Sequence, residues 1–302
     1  MRASCHNKSL SIIEAICRVG LLLTPEKWEF PPERVSGGPP SNSLPVFQKR
    51  LCFTDLSPSE LNNHASYFGP FALEYEITTL RNMGAMPAIY IPAEIDSERG
   101  YSGSGVSLVN RLHELDVFLD RVQRLRSELS EYPKDQFIRL NNTNAGNQGI
   151  IGCTFGGLID LFSTLEEGNR DIDTLKNSLA ALFGLIKQTD GPGIDDLLIH
   201  YREREWRITK GFNRDGISLV KDLTEEDKIY LADFAPIFRN DIEMKNGKLR
   251  YVDACYTLKT YEKDFVPRLA KRLIAPKACI NKATAILSKH SIDIEVSALE
   301  EL

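Results

Sequence analysis

The chain has 302 residues, of which 37 are Lys or Arg and 42 are Asp or Glu, and its formal net charge is −5. Hydrophobic residues make up 42% and charged residues 26% of the chain, which excludes wholesale disorder. No apolar run approaches the roughly 20 residues that a membrane-spanning helix requires, and the acidic balance disfavours a general nucleic-acid-binding protein. We therefore expect a soluble protein that has neither a membrane nor a nucleic acid as its partner.

The six cysteines are scattered along the chain and include no CxxC pair. They also show no metal-ligand spacing with the five histidines, so they are typical of reduced thiols rather than of a metal site or a disulfide framework. The amino-terminal residues lack the apolar core of a signal peptide. These features predict a cytoplasmic protein without a bound metal.

Helical and strand-like patterns alternate over the first third of the chain. Ser57, Pro58 and Glu60 have the spacing of a helix start, with an N-cap, a proline at the first helical position and a glutamate at the third. Gly20 is a natural end for the first helix. In chain order we predict a helix over 9–20, a long surface loop over 25–45, a strand over 46–54, a helix over 58–67, and strands over 71–77 and 86–92.

The middle of the chain is helical in pattern. Apolar residues recur at three- and four-residue steps from residue 108 to residue 129, as in a long amphipathic helix. Shorter helical patterns follow over 157–166 and 171–187. Because the flanking strand-rich segments need one another to form a sheet, we interpret 106–190 as a helical insertion within a single domain of residues 1–302.

The last third returns to mixed patterns. We predict a strand over 204–209, a helix beginning near Thr224, a hairpin over 242–251 with Asn246 and Gly247 at its turn, and a strand, a helix and a strand over 272–275, 279–289 and 292–296. The predicted fold class is therefore α+β, with a mixed sheet and a helical insertion.

Two glycine-rich segments, 102–105 and 141–157, lack the spacing of a phosphate-binding P-loop. A turn before the long helix and a loop that enters a helix are the simpler interpretations, although the second segment could bind an anion through its backbone amides. No GxSxG motif marks a nucleophilic serine in the sequence. Neither segment therefore predicts a specific chemistry.

The block from His200 to Arg207 is the richest in side chains that can carry chemistry. Strand alternation would direct Trp206 and Ile208 toward the core. It would place four other side chains on the opposite face: Tyr201, Glu203, Glu205 and Arg207. Such a face can be a structural ladder of ion pairs, or a polar site in which a carboxylate binds a sugar hydroxyl or stabilises an oxocarbenium ion. The residues alone leave both interpretations open.

Five blocks, taken in order, resemble the AbiGi family of abortive-infection proteins. They are residues 6–10, which lead into the first helix, the CFTD strand within 51–57, the HASYFG turn at 64–69, the strand at 87–91, and the YREREWR block at 201–207. The EREWR part is the most distinctive of these. The resemblance implies a strand at His6, then a helix that ends in glycine, and a role in bacterial defence against phage.

The resemblance also implies a partner, because the AbiGi-type protein is the antitoxin-like or regulatory partner of a nucleotidyltransferase-like toxin and would need no cofactor. A wider similarity to DarT-like ADP-ribosyltransferase folds implies a site around NAD. In that version the catalytic residues are His6, Glu205 and, as the second choice for the glutamate, Glu203. The implied NAD contacts are His6, Tyr67, Tyr75 and Arg207.

Three hypotheses about function follow. The leading one is an anti-phage abortive-infection protein that acts through a toxin partner, since an acidic surface suits protein binding and Asn7 stands where the family has an aromatic residue. The second is an NAD-dependent ADP-ribosyltransferase toxin of a phage-defence system. The third is a sensor that binds a phage protein through the segment 25–45 and the helical insertion.

Overall fold

The structure is a computed structural model that describes residues 2–30, 44–91, 104–141, 150–166, 172–189, 199–210, 219–233 and 255–302. The hairpin predicted over 242–251 and the central part of the glycine-rich segment 141–157 lie outside these residues. The chain divides into two compact units. One consists of Met1–Val106 and Ala180–Leu302, and the other of Ser107–Leu179.

The protein is mixed α and β. Its described α-helices are α1 (Arg2–Val19), α2 (Pro58–Phe68), α3 (Ile77–Asn82), α4 (Ser104–Ser130), α5 (Phe155–Glu166), α6 (Ile172–Leu185), α7 (Ile199–Arg202), α8 (Glu225–Asp233) and α9 (Ile280–Lys289). Short 3-10 helices cover Val266–Leu269, Lys277–Cys279 and Leu299–Glu301.

Fifteen strands lie in the described ranges. They are β1 (Leu21–Phe30), β2 (Leu44–Thr54), β3 (Ala72–Glu74), β4 (Met86–Pro87), β5 (Ile89–Ile91), β6 (Phe137–Asn141), β7 (Ile150–Thr154), β8 (Ile186–Gln188), β9 (Glu205–Thr209), β10 (Lys221–Asp222), β11 (Tyr256–Leu258), β12 (Thr260–Tyr261), β13 (Asp264–Phe265), β14 (Arg272–Ala275) and β15 (Glu295–Ala298).

The main sheet of the first unit has the strand order β10-β11-β1-β2-β9-β4. All of its neighbouring strands are antiparallel. A second sheet has the order β15-β14-β3 and combines a parallel with an antiparallel pair. β5 pairs in parallel with β8, and β12 pairs with β13. The strand β9 thus lies inside the main sheet, between β2 and β4.

Three buried apolar clusters hold the first unit together. The largest joins β1, α3, β9 and β11 through side chains such as Leu23, Leu80, Ile208 and Leu258. The second packs α1 against β14 and α9, and the third packs α1 against α8. Because α1 contributes to two clusters, burial of its apolar face links the two ends of the chain.

The second unit is built on the long helix α4. The Lys176 ammonium group on α6 forms an ion pair with Asp120 on α4, and the Gln123 amide donates a hydrogen bond of 2.7 Å to Asp173. The strands β6 and β7 form an antiparallel pair. Beside them the rings of Tyr132 and Phe155 stack with their centroids 4.7 Å apart.

Several predicted elements are confirmed where local chemistry fixes them. The helix predicted over 58–67 is α2, and the Ser57 backbone N–H donates to Glu60 Oε2 at 2.8 Å, one half of a capping box. The helix predicted near Thr224 is α8, in which the Asp227 N–H donates to Thr224 Oγ1 at 3.1 Å. The long amphipathic helix is α4, and the strand predicted over 272–275 is β14.

The long loop predicted over 25–45 is wrong at both ends, because β1 continues to Phe30 and β2 begins at Leu44. Pro25 lies opposite Lys49 in the ladder between these strands. In the described residues β11 pairs only with Leu21–Leu23 of β1, so Pro25 lies where the strand has one partner. A missing N–H is tolerated at such an edge.

The strand expected at His6 is also wrong, since residue 6 lies within α1. The segment from residue 2 to residue 8 contains no β-branched residue, so nothing local prevents the helix from extending toward the amino terminus. The side chain of His6 lies outside the described residues.

Two predicted strands are shorter than the pattern suggests. The strand expected over 71–77 is reduced to β3, because α3 begins at Ile77. The strand expected over 86–92 divides at Ala88 into β4 and β5, which pair with β9 and β8 respectively. Their partners lie in two different sheets, so one apolar segment of the sequence contributes a strand to each sheet.

Candidate functional site

The strand β9 carries the EREWR block into the centre of the first unit. Its register pairs Glu205 with Thr54 and Trp206 with Phe53 on β2. The strand begins at Glu205, and Tyr201 lies in α7. Arg204, between them, has a φ of 43°, so the chain turns just before the strand. Strand alternation therefore does not extend to Tyr201 and Glu203, contrary to the prediction.

A network of buried charges lies along β9 and β8. The Arg207 Nε donates to Glu205 Oε1 at 2.8 Å and its Nη2 donates to Glu205 Oε2 at 3.2 Å. The Lys187 Nζ donates to the same Glu205 Oε2 at 2.7 Å and also to the Glu203 carboxylate. The side chain of Arg207 is 0% exposed and that of Glu205 is 7% exposed. Both oxygens of Glu205 are thus engaged by cations.

Arg207 also binds the backbone at the junction of α6 and β8. Its Nη1 donates to the carbonyl oxygens of Gly184 and Ile186, at 3.1 and 2.8 Å. Gln48 on β2 donates to the carbonyl oxygens of Phe183 and Ile186, at 2.6 and 3.1 Å. These side chains satisfy carbonyl groups that the end of a helix leaves without partners. Arg207 and Gln48 therefore attach this junction to the sheet.

The same junction approaches the sheet closely at Gly184. A Cβ atom at this position would lie 2.5 Å from the Thr209 Cγ2, so a side chain here would require either Thr209 or the helix end to shift. This contact covers one face of β9, and the largest apolar cluster, which contains Ile208 and Trp206, covers the other. A strand with two covered faces does not show the alternation of a half-exposed strand.

The charges in the network stabilise one another. Burial raises the pKa of the Glu205 carboxyl, but the Arg207 guanidinium, together with Cys52 and Lys187, outweighs this effect and lowers the pKa to about 2. Burial lowers the pKa of Lys187, but its two glutamate partners outweigh that and raise it above the usual value. Near neutral pH both groups are therefore charged, as in a structural ion pair.

The structure brings together three of the predicted site residues, Glu203, Glu205 and Arg207. The other predicted residues lie elsewhere. Tyr67, near the end of α2, is 74% exposed, and Tyr75 follows β3 with its ring in T-shaped contact with Phe53, 5.9 Å between centroids. His6 belongs to α1, and its side chain is not among the described ones.

Two residues of the network, Lys187 and Tyr90, were not predicted from the sequence. Lys187 falls at the end of the helical pattern 171–187, but α6 ends at Leu185 and Lys187 lies in β8, where its side chain meets two glutamates. Tyr90 on β5 accepts a hydrogen bond of 2.9 Å from the Glu205 N–H, and its ring lies 4.9 Å from that of Tyr201. No local signal marks either residue, because each partner is distant in sequence.

The arrangement around Glu205 does not fit an NAD site. A glutamate that stabilises an oxocarbenium ion needs a carboxylate oxygen that faces the sugar, whereas both oxygens of Glu205 face buried cations. Arg207 is occupied by Glu205 and two carbonyl groups, so it has no face left for a phosphate. This geometry therefore supports no reaction of NAD at Glu205.

The described part of the chain contains no group of three or more His, Cys, Asp and Glu side chains arranged to hold a metal ion. Among the described helices, none combines the length and the apolar character needed to cross a membrane. No protein-family model, no curated protein and no solved structure matches the sequence or the fold.

Proposed function

We propose that this protein is an AbiGi-like anti-phage protein that acts by binding a toxin, as its antitoxin or regulatory partner. The observation that carries the proposal is the buried pairing of Glu205 with Arg207 and Lys187. The EREWR block, which is the most distinctive part of the resemblance, then has a structural role. The functional contacts would therefore be made by the surface of the protein. A partner-binding role requires no carboxylate that is free to react.

The surface offers features that suit such a role. The net charge of −5 favours binding to a basic surface. At the end of α2, Tyr67 and Phe68 are 74% and 66% exposed, and the His64 imidazole stacks on Phe68 with the ring centroids 4.3 Å apart. Exposed aromatic side chains are enriched at the centres of protein interfaces. We infer that this aromatic patch, formed by His64, Tyr67 and Phe68, contacts the toxin.

Co-expression with the product of the neighbouring gene tests the proposal. We expect the two proteins to co-purify, and we expect this protein to relieve growth inhibition by its partner. Changing both Tyr67 and Phe68 to alanine should weaken co-purification at least about tenfold, as for residues that dominate an interface. Ile229→Ala is the matched control, because Ile229 is 69% exposed on α8. A partner that neither binds nor changes in toxicity would refute the proposal.

We propose that this protein resembles ADP-ribosyltransferases in its fold and not in its activity. The antiparallel main sheet, with the late glutamate strand between two others, supports that similarity. Incubation with labelled NAD and a cell extract distinguishes architecture from activity. We expect no label on protein, RNA or DNA. If label is transferred, and if the Glu205→Gln variant folds but does not transfer it, the protein is an ADP-ribosyltransferase instead.

A further inference from the structure

The long helix α4 carries two apolar stripes. One includes Val109 and Leu119, which are buried within the second unit. The other faces solvent, and its four largest side chains are between 45% and 59% exposed: Leu108, Leu115, Phe118 and Leu125. A helix that packs only within its own unit needs one apolar face. The second, exposed stripe is therefore a surface on which a further partner can pack.

The exposed stripe follows a heptad repeat. Its members are separated by alternating steps of three and four residues: Leu108, Arg111, Leu115, Phe118, Val122 and Leu125. Residue 129, the next position in the series, is buried, so the exposed part ends at Leu125. An apolar period of 3.5 residues keeps one seam of a helix against a neighbouring helix over several turns. The partner that fits this stripe is therefore a helix with a matching repeat.

A second copy of α4 supplies such a helix if the two copies run antiparallel. A two-fold axis that crosses α4 between residues 116 and 117 places Leu115 opposite Phe118 of the second copy. The same axis places Leu108 opposite Leu125 of the second copy. Because a two-fold interface uses the same surface on both copies, each of these contacts occurs twice. The exposed leucine and phenylalanine side chains are thus all covered in one arrangement.

The charges beside the stripe match this alignment. Glu114 and Arg121 are exposed and immediately precede Leu115 and Val122, at the heptad position whose charges set partner choice and orientation. In the antiparallel pair Glu114 lies beside Arg121 of the second copy, and the symmetry repeats this contact. Within one chain Glu114 accepts a hydrogen bond of 2.7 Å from Arg111, but both side chains are more than half exposed, and such surface pairs are weak.

Arg111 excludes the parallel alternative. In a parallel pair of α4 helices each heptad position faces its own copy, so the two Arg111 side chains would meet within the apolar seam. Like charges at such a position repel. In the antiparallel pair Arg111 lies opposite Val122, so its guanidinium meets no cation there. The charge pattern therefore favours the antiparallel arrangement.

We propose that two copies of this protein associate through an antiparallel coiled coil of α4, with the stripe from Leu108 to Leu125 at its centre. The inference goes beyond the toxin-binding function and does not depend on it, because the aromatic patch belongs to α2 and not to α4.

Sedimentation equilibrium under reducing conditions tests the association without a contribution from disulfides. We expect the full chain to form dimers at concentrations below about 100 μM. Phe118→Glu should weaken dimerisation at least about thirtyfold, since it removes two central contacts at once. Ile229→Glu is the matched control, because Ile229 is an exposed apolar residue of α8, and it should leave dimerisation unchanged. A monomeric wild type, or dimers that Phe118→Glu leaves intact, would overturn the proposal.

An exchange of charges tests the antiparallel register. Glu114→Arg alone and Arg121→Glu alone each place like charges at both symmetric contacts, so each should weaken its own dimer at least about tenfold. A mixture of the two variants replaces both repulsions with attractions. We expect it to form heterodimers within about threefold of the wild-type affinity, measured by fluorescence anisotropy with one variant labelled. No recovery on mixing would refute the register.

The toxin is the alternative occupant of the stripe. If the wild type is monomeric and Phe118→Glu abolishes its co-purification with the toxin, the stripe belongs to the toxin interface and the homodimer is refuted. If dimers form but no toxin binds, the coiled coil stands while the proposed function fails. The two proposals can therefore fail separately.

Discussion

Glu205 and Arg207 lie two residues apart on β9 and face each other across 2.8 Å between Oε1 and Nε. Alternation along a strand places residues i and i+2 on the same face, so the sequence spacing alone permits the contact. The side chains are almost completely buried, so removing either charge leaves the other buried with less compensation, which is strongly destabilising. This pair therefore gives the sharpest predictions about the stability of the protein.

Glu205→Gln should destabilise the protein by about 3 kcal/mol, because it keeps the shape of the side chain but leaves Arg207 and Lys187 buried with less compensating charge. Urea unfolding measures the effect as a lower midpoint at an unchanged slope. Glu301→Gln is the control. Glu301 pairs with Lys277 at the surface, where both side chains are more than half exposed, and its loss should lower the midpoint far less than Glu205→Gln does. Equal midpoints for the two variants would contradict a stabilising role of Glu205.

The loss of stability at acidic pH should depend on Glu205. Its pKa is about 2 in the folded protein, against a usual value of 4.5, so the folded state favours the charged form. The resulting stabilisation is complete above about pH 4.5 and is lost as the pH falls toward 2. Thermal unfolding at a series of pH values should show a steeper loss for the wild type than for Glu205→Gln in this window. Parallel curves would show that Glu205 does not titrate as the structure indicates.

Arg207→Lys should not preserve stability, although it preserves charge. An ammonium group cannot reproduce the planar fork that binds both oxygens of Glu205 and also reaches the carbonyl groups of Gly184 and Ile186. We expect a loss of about 2 kcal/mol, measured by urea unfolding. Lys277→Arg, at an exposed pair, is the control for the exchange itself. A variant as stable as the wild type would show that charge alone suffices at this position.

Gly20 and Gly69 form a matched pair for backbone strain. Both have a positive φ, of +94° and +98°, but their surroundings differ. A Cβ on Gly20 would lie 2.8 Å from the Leu258 carbonyl oxygen, whereas a Cβ on Gly69 would meet nothing within 4 Å. Gly69→Ala should cost about 2 kcal/mol, because φ 98° with ψ 161° is a backbone conformation that residues other than glycine rarely adopt, and Gly20→Ala should cost clearly more. Thermal unfolding compares them, and equal losses would mean that the clash at Gly20 is relieved without cost.

Elements whose ends depend on local chemistry could be predicted from the amino-acid sequence alone. Ser57 and Glu60 specify the start of α2, and Thr224 specifies the start of α8, because a helix end is satisfied by side chains within three residues of it. The same holds for the amphipathic helix α4, whose apolar period lies within the segment itself.

The structural role of the EREWR block depends on contacts between residues that are distant in the sequence. The carbonyl groups that Arg207 binds and the ammonium group that meets Glu205 come from residues 184 to 187, about twenty positions earlier in the chain, and no local pattern predicts such a contact. From the sequence, the polar face of this block could be either a ladder of ion pairs or a reactive site. In the structure this face is buried, because the end of α6 and β8 cover it. Burial requires every charge there to find a partner, and that requirement makes Glu205 and Arg207 part of the protein's interior.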